Sequence, residues 1–188
     1  MTVSPDLDRR FRDAAAAAGL LDVGFDVIDS PIGPLLVAAS DRGLARISFS
    51  ATFDPEETIE ALARAFGPRV LRSSRTVEPA RRQLDEYFEG RREAFELEVD
   101  LRGVPEFTHR VLNELARVPY GRTTTYAELA AKSGAPRAAR AVGTVMNRNR
   151  IPIVLPCHRV VGTNGSLTGY AGGLDVKERL LRLEGALL

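Results

Sequence analysis

The 188-residue sequence is poor in the residues that build covalent or metal-based cross-links. It contains one cysteine, two histidines and no tryptophan. A single cysteine excludes an intramolecular disulfide framework, and with two histidines it leaves too few soft ligands for a Cys-rich structural zinc site, so we predict no metal. An apolar fraction of 44 % is too high for a disordered chain. The length suits one or two small domains that can each bury a core.

Long apolar runs are also missing. No stretch approaches the roughly 18 consecutive apolar residues of a membrane span. Near the N-terminus, Arg9, Arg10 and Arg12 precede the short alanine run Ala14–Ala18. Acidic residues interrupt this segment, so it predicts a short, weakly amphipathic helix and not a signal peptide. Without an export signal, a lone thiol suits a reducing compartment, and we expect a cytoplasmic protein with no membrane partner.

An overall excess of charge of one sign is absent as well. There are 26 basic and 25 acidic residues, a net charge of +1, which taken alone argues against a nucleic-acid partner. The charges are unevenly distributed, however. Residues 1–104 carry 14 basic against 19 acidic side chains, a net of −5, and residues 105–188 carry 12 against 6, a net of +6. This asymmetry suggests an anionic partner for the C-terminal half, although a solvated basic face would look the same.

The first half has the patterns of a small α+β domain. Alternating apolar residues separated by Gly and Pro predict hairpins of a small antiparallel sheet, and helical spacing predicts two helices. The predicted elements are two hairpins within residues 24–49, a helix that begins at Asp54, a helix over Glu78–Phe88 and a strand over 95–99. We assign this domain to residues 1–103, with residues 1–22 as an extension of unknown role.

The second half, residues 104–188, is predicted to be mostly helical. A first helix covers Pro105–Ala116. Thr125 can cap a helix over Tyr126–Lys132, with Glu128 at the capping-box position. A Gly-containing turn then leads into a helix over Pro136–Asn147. Helix, short turn and helix is the shape of a helix-turn-helix, a shape that many other helical hairpins share.

The only cysteine, Cys157, is followed directly by His158. A thiol becomes a nucleophile as its thiolate, which a neighbouring base or positive charge favours. Neighbouring side chains diverge in an extended segment, so the pair would need a turn or a bridging water to interact. A lone cysteine among apolar residues also fits a buried core position.

The segment from Pro156 to Val160 resembles the active-site motif of the O6-alkylguanine-DNA alkyltransferases. Further motifs occur in the family's order and spacing over about residues 105–185. They are Pro119–Gly121, Thr125–Tyr126, Ala139–Gly143, Asn149, Pro152–Ile153, Gly169–Gly173 and Val176–Glu178. The N-terminal half resembles the family only through Ser30–Leu35. The resemblance implies a ribonuclease H-like N-terminal domain and a C-terminal domain with a winged helix-turn-helix-like DNA-binding motif.

The resemblance also implies the chemistry. Members of this family transfer an alkyl group from O6 of guanine in DNA to the cysteine, here Cys157, which inactivates the protein; activity on O4-alkylthymine stays open. His158 would take the thiol proton through a water and Glu178 would orient His158, the logic of hydrolytic triads. Without the resemblance, Glu178 would be interpreted as a surface carboxylate. Water does not cleave the product thioether, so each molecule acts once and no cofactor is expected.

Family members bind double-stranded DNA through the minor groove and flip the damaged base out of the stack. Arg140 would fill the gap in the duplex, and Tyr126 would promote rotation of the nucleotide; their plainer interpretations are a phosphate contact and a core aromatic. Arg137 is a candidate phosphate contact. Small residues that permit close approach to the groove are Ala138, Ala139, Ala141 and Gly143. We expect largely sequence-independent binding by a monomer, with cooperative assembly on DNA left open.

The guanine pocket implied by the family uses main-chain carbonyls at Cys157 and Val160, an aromatic wall at Tyr170 and the backbone N–H of Ala171. Some relatives have Ser in place of Ala171, so a hydroxyl is missing here. Asn149 corresponds to an Asn that ties the helix-turn-helix to the active-site loop.

Two other functions remain: an alkyltransferase-like protein that binds lesions without catalysis, whose cysteine is usually replaced, and a Cys–His hydrolase on an unrelated fold.

Overall fold

The computed structural model describes residues 4–49 and 54–187. The chain divides into two compact units. The first comprises Met1–Asp85 and Glu96–Asp100, and the second comprises Glu86–Phe95 and Leu101–Leu188. This division differs from the single boundary expected after residue 103, because residues 86–95 belong with the second unit.

The first unit is built around a four-stranded sheet with strand order β3-β2-β1-β4. Its strands are β1 (Val23–Ile28), β2 (Leu35–Ser40), β3 (Gly43–Phe49) and β4 (Val70–Arg72), and its helices are α1 (Pro5–Ala17), α2 (Pro55–Phe66) and most of α3 (Ser74–Phe88). The pairs β1–β2 and β2–β3 are antiparallel, as predicted. The sheet is mixed, however, because β4 pairs parallel to β1 after the crossover through α2. Three residues are too few to show strand periodicity, so the sequence did not indicate β4.

The strand predicted over 95–99 is reduced to a single bridge between Leu44 and Val99. Two backbone hydrogen bonds hold it, from Leu44 N–H to Glu98 O at 2.8 Å and from Asp100 N–H to Leu44 O at 2.8 Å. Gly43 makes the close approach feasible, since a Cβ at its position would lie 2.3 Å from Glu98 O. The alternation of apolar residues over 95–99 therefore indicated which side chains are partly buried. It did not indicate that only one residue of the segment would pair with a neighbouring strand in the described part of the chain.

Residues from both sheet and helix form the apolar core of the first unit. Val23, Leu36, Ala38 and Leu62 are almost fully buried, and Phe25, Phe66 and Val70 pack against them. Helix α2 begins as predicted, since the Asp54 carboxylate accepts from Glu57 N–H at 3.0 Å. Helix α3 begins four residues before the predicted start, where the Ser73 hydroxyl accepts from Thr76.

The second unit is mostly helical. Its elements are α4 (Glu106–Ala116), β5 (Thr124–Thr125), α5 (Tyr126–Lys132), α6 (Ala139–Asn147), a 3-10 turn (Cys157–Arg159), β6 (Val160–Val161) and α7 (Leu174–Leu183). Helix α5 has the predicted bounds and both capping-box bonds, Glu128 N–H to Thr125 Oγ1 at 3.2 Å and Thr125 N–H to Glu128 Oε2 at 2.9 Å. Helix α6 begins at Ala139 and not at Pro136, because a turn closed by Ala138 N–H and Ala135 O comes first.

A short parallel pairing, which the sequence did not indicate, joins β5 to β6. Thr124 is opposite Val160 and Thr125 is opposite Val161. The pairing holds the start of α5 beside the segment that follows Cys157. No helix within residues 4–49 and 54–187 is long and apolar enough to cross a membrane.

Candidate active site

The 3-10 turn Cys157–Arg159 is the centre of the site. It is closed by Arg159 N–H donating to Pro156 O at 2.9 Å, and Cys157 N–H donates to Leu155 O at 2.8 Å. All three turn residues are buried, and His158 has no exposed surface. Because the segment is a turn and not an extended strand, the adjacent Cys157 and His158 side chains are not forced to opposite faces.

The loop before Cys157 is held by Asn149. Its Nδ2 donates to Leu155 O at 2.8 Å, and its Oδ1 accepts from Ile151 N–H at 3.0 Å. Ile153 in this loop has φ 75° and is fully buried. A β-branched residue in this region is strained and persists only where its surroundings determine it. Asn149 therefore links the end of α6 to a tightly constrained loop that leads into Cys157.

Cys157 is a protonated thiol at neutral pH. Burial raises its pKa to about 11, and the hydrogen bond from Asn149 and the positive charge of Lys177 oppose the rise only in part. A thiol of this kind is a weak nucleophile until a base removes its proton. The site consequently needs a base close to Cys157.

His158 has the protonation state that such a base requires. Its Nε2 lies 2.8 Å from Glu184 Oε1. Burial raises the pKa of Glu184, but hydrogen bonds from His158 and Arg159 outweigh burial and hold that pKa at about 2. The carboxylate is therefore ionised and only accepts, so Nε2 must carry the ring proton and Nδ1 keeps a lone pair. Burial also lowers the pKa of His158, so the ring is neutral. Within the described residues, Nδ1 is buried with no hydrogen-bond partner.

The prediction that Glu178 orients His158 is wrong; Glu184 contacts His158. Glu178 is 46 % exposed and pairs with Arg182 at 2.9 Å. The two glutamates are six residues apart, which is about 240° around a helix, so they lie on different faces. The buried face of α7 carries Val176, Lys177, Leu180 and Leu181. Glu184 comes four residues after Leu180 and continues that face, a pattern that could have identified it.

Sequence reasoning also missed two donors to Glu184. Arg159 donates through Nε to Oε2 at 2.8 Å and through Nη2 to Oε1 at 2.9 Å, a buried fork on the carboxylate. Its Nη1 donates to Val118 O at 2.5 Å. The Tyr87 hydroxyl donates to Oε1 at 2.7 Å. Arg159 lies between a predicted buried site and the apolar residues Val160 and Val161, and this position could have indicated a buried anionic partner. Nothing near Tyr87 in the sequence distinguished it from a core aromatic.

The residues expected to line a guanine pocket lie beside this centre. Val160 follows the turn directly, and its carbonyl accepts from Lys177 Nζ at 2.7 Å; the same Nζ donates to Thr168 O at 3.0 Å. The Tyr170 ring lies edge-on to the His158 ring, with centroids 6.4 Å apart. Ala171, the next residue, is exposed. Lys177 was not foreseen as a link between the segments that carry Val160 and Thr168.

The predicted DNA-contacting residues lie on α6 and at its start. Arg137, Arg140 and Ala141 are exposed, while Ala138, Ala139 and Gly143 are half-buried. Val142, Val145 and Met146 form the buried face of the helix. A Cβ at Gly143 would lie 3.9 Å from the Tyr126 ring, so this glycine borders α5.

Tyr126 connects α5 to the segment that precedes Tyr170. It is half-buried, and its hydroxyl lies 2.7 Å from Thr168 Oγ1. The structure thus brings Cys157, His158, Val160 and Tyr170 together, with Asn149 in support, and it keeps Arg140 on the exposed surface. Among residues 4–49 and 54–187, no three His, Cys, Asp or Glu side chains are placed to hold a metal ion.

Comparison with known proteins matches both halves of the chain to one family. Residues 106–186 match the model of the 6-O-methylguanine DNA methyltransferase DNA binding domain, and residues 24–101 match its ribonuclease-like domain. The chain belongs to the 6-O-methylguanine DNA methyltransferase family. It is 44 % identical over 160 residues to the methylated-DNA–protein-cysteine methyltransferase of Methanosarcina barkeri, covering 85 % of this chain and 96 % of the relative.

Solved structures of 6-O-methylguanine DNA methyltransferases share the fold. The chain is similar to the Mycobacterium tuberculosis O6-methylguanine methyltransferase, with a TM-score of 0.74 and 41 % identity over 87 % of this chain and 93 % of that one. It is equally similar to Mycobacterium tuberculosis OGT in complex with DNA, with a TM-score of 0.75 and 39 % identity over the same shares. The predicted family and the predicted α+β class are both confirmed.

The two family matches divide the residues of the Cys157 centre unequally. Every residue of the Cys157 centre except Tyr87 lies in the part that matches the methyltransferase DNA binding domain, 106–186. Tyr87 lies within the part that matches the ribonuclease-like domain, 24–101. Helix α1 precedes both matches.

Proposed function

We propose that this protein repairs DNA by moving an alkyl group, most simply methyl, from O6 of a damaged guanine to Sγ of its own Cys157. The observation that carries the proposal is the buried chain Cys157, His158 and Glu184, in which a protonated thiol is followed by a neutral base with a free Nδ1. The names of the relatives, methylated-DNA–protein-cysteine methyltransferases, describe this chemistry and support the proposal.

His158 would act as the base. The thiol proton passes from Sγ to Nδ1 of His158 through a bridging water, and Nε2–H stays bonded to Glu184. The imidazolium that forms would be costly in a buried site without a counter-charge. Glu184 stabilises this imidazolium at 2.8 Å and keeps the ring in its productive tautomer.

The transfer step is an SN2 displacement at carbon. A lone pair of Cys157 Sγ forms the S–C bond while the C–O6 bond breaks, and its electron pair stays on the guanine oxygen. Hydrogen bonding, which we assign to the N–H of Ala171, stabilises that oxygen, and the guanine takes up one proton while His158 releases the one that it received from the thiol. A thiol and an alkylated guanine thus become a thioether and a guanine. Water does not hydrolyse the thioether, so each molecule reacts once and needs no cofactor.

The proposed partner is double-stranded DNA, and its proposed contact is the α6 face. Residues 105–188 carry a net charge of +6, which favours sequence-independent attraction to phosphates. Arg140 is exposed at the start of α6 beside small residues that suit a minor groove. A flipped guanine would stack against Tyr170 and bond the carbonyls of Cys157 and Val160, with Tyr126 assisting its rotation. All these groups belong to one chain, so we propose that the protein acts as a monomer. We also propose a cytoplasmic location, where its single free thiol would stay reduced.

One experiment tests the proposal directly. The protein is incubated with a duplex oligonucleotide that contains O6-methylguanine, and its mass is measured before and after. We expect one added methyl on the peptide that contains Cys157, restored guanine and no second turnover. Cys157→Ala should bind the lesion without a mass change, and transfer by this variant would refute the assignment. Lesion binding by the unmodified protein without transfer would favour a non-catalytic lesion binder, and repeated turnover would favour a hydrolase.

A further inference from the structure

The Glu184 carboxylate receives more donors than the proposed proton transfer uses. Its Oε1 accepts from Tyr87 Oη at 2.7 Å, from His158 Nε2 at 2.8 Å and from Arg159 Nη2 at 2.9 Å. Its Oε2 accepts from Arg159 Nε at 2.8 Å and, more weakly, from Gly121 N–H at 3.4 Å. The bond from Tyr87 is the shortest of the five, and it falls on the oxygen that faces His158.

Tyr87 is packed so that its hydroxyl has one position. The side chain has no exposed surface. Its ring contacts Phe88 and Tyr120 edge-on, with centroids 5.4 and 6.2 Å away, and Phe95 at 5.3 Å. Burial, followed by the charge of Glu184, raises the Tyr87 pKa well above its usual value, so the hydroxyl keeps its proton and donates.

We propose that Tyr87 is a positioning residue for alkyl transfer, whose hydroxyl fixes the Glu184 carboxylate and limits how strongly it attracts the proton of His158. This inference rests on the proposed function for its kinetic consequence. A hydrogen bond to a carboxylate stabilises its charged form and makes it a weaker base. With Tyr87 in place, Glu184 orients the neutral His158 ring without drawing it to the imidazolium before the substrate has bound.

The charges around His158 and Glu184 decide whether removal of the Tyr87 hydroxyl raises or lowers the pKa of His158. Arg159 and Lys177 both disfavour a positive charge on His158, and Glu184 favours one. The uncharged groups around His158 and Glu184 are Tyr87, Tyr120, Tyr170 and the thiol of Cys157. Without the Tyr87 hydroxyl, the Glu184 carboxylate has one hydrogen-bond donor fewer and attracts a positive charge on His158 more strongly. The pKa of His158 should then rise, and the base should be lost to protonation at a higher pH.

The test compares Tyr87→Phe with Tyr120→Phe, a matched loss of one tyrosine hydroxyl. Tyr120 Oη donates to the main-chain oxygen of Leu183 at 2.9 Å and not to the Glu184 carboxylate. Rates of methyl transfer to the protein are measured in single turnover from about pH 5 to about pH 9. In Tyr87→Phe the acid limb should move up by about half a pH unit, so the rate on that limb should fall about threefold, with a smaller loss at neutral pH. Tyr120→Phe should keep the original profile.

A second measurement does not depend on activity. Nitrogen-15 NMR of the imidazoles resolves two histidines, and the exposed His109 is an internal reference. The midpoint of His158 titration should be higher in Tyr87→Phe than in the unaltered protein. An unchanged midpoint, or a slower reaction with an unchanged pH profile, would overturn the positioning role. Should the unaltered protein fail to transfer methyl, the proposed function would fall while the NMR titration still decided the role of Tyr87.

Discussion

The Glu184 carboxylate lies 2.8 Å from Nε2 of His158, and both side chains are completely buried. The same carboxylate forms a two-bond ion pair with Arg159. His158 and Arg159 therefore share one buried carboxylate, which we expect to affect both methyl transfer and the stability of the second unit.

Glu184→Gln should damage both properties. The amide cannot neutralise an imidazolium on His158, and it leaves the buried Arg159 without a counter-charge. We expect methyl transfer to slow by about 10²- to 10⁴-fold and the free energy of unfolding to fall by about 3–5 kcal/mol. Single-turnover kinetics and urea denaturation measure the two effects.

Glu178→Gln is the matched control. Glu178 forms an exposed ion pair with Arg182, and such pairs contribute little to stability. Its transfer rate and its unfolding curve should match those of the unaltered protein. Normal transfer by Glu184→Gln together with a defect in Glu178→Gln would reverse the assignment.

Stability should depend on pH through the buried groups of the site. Burial holds the pKa of His158 below its usual 6.5, so below that pH the unfolded chain binds a proton that the folded chain does not. Glu184, with a pKa of about 2 against a usual 4.5, adds a second loss as the pH falls below 4.5. The free energy of unfolding should fall in two stages below about pH 6.5. Urea unfolding across this range tests it, and His158→Gln should remove the first stage.

On the alkaline side the sign is opposite. The Cys157 thiol has a pKa of about 11 in the folded protein against a usual 9.0. Above about pH 9 the unfolded chain loses a proton that the folded chain keeps, so stability should decline as the pH rises. Cys157→Ala should lessen this decline, and an identical slope in that variant would show that the thiol is not its source.

Arg140→Ala should separate base flipping from the chemistry. Arg140 is exposed at the start of α6, and within the described part of the chain the donors to the Glu184 carboxylate are other residues. The variant should slow repair of duplex DNA about tenfold or more and barely affect reaction with a free alkylated base. Arg137→Ala, a matched loss of one exposed Arg, should weaken duplex binding and lower its salt slope by about 1. Equal losses on duplex and free base in Arg140→Ala would refute a flipping role.

Asn149→Ala should loosen the loop before Cys157. It leaves Ile151 N–H and Leu155 O without their side-chain partner, which should cost about 1–3 kcal/mol of unfolding free energy. The thiol should also become less acidic, because Asn149 lowers the Cys157 pKa. The pH dependence of iodoacetamide labelling measures this shift. Asn147→Ala, at an exposed position on α6, is the control that should change neither quantity.

Local patterns were the most predictable part of the fold. The capping box at Thr125 and the start of α2 at Asp54 depend on residues within one turn of each other, and both occur as expected. One error concerns a pairing between distant segments, since strand β4 exists only because β1 lies beside it. Another error is local, since a turn closed by Ala138 N–H and Ala135 O precedes α6 and delays its start.

The sequence by itself determined the family and placed the single cysteine directly before His158, because contiguous motifs around Cys157 carry that information. Only the tertiary structure decided that Glu184 and not Glu178 contacts His158, and that Tyr87 and Arg159 share the same carboxylate. The physical reason is that Glu184 lies 26 residues after His158 along the chain. It reaches His158 because it continues the face of α7 that packs against the 3-10 turn Cys157–Arg159. Burial on that face, and not proximity in sequence, determines which carboxylate must find a charged or hydrogen-bonding partner.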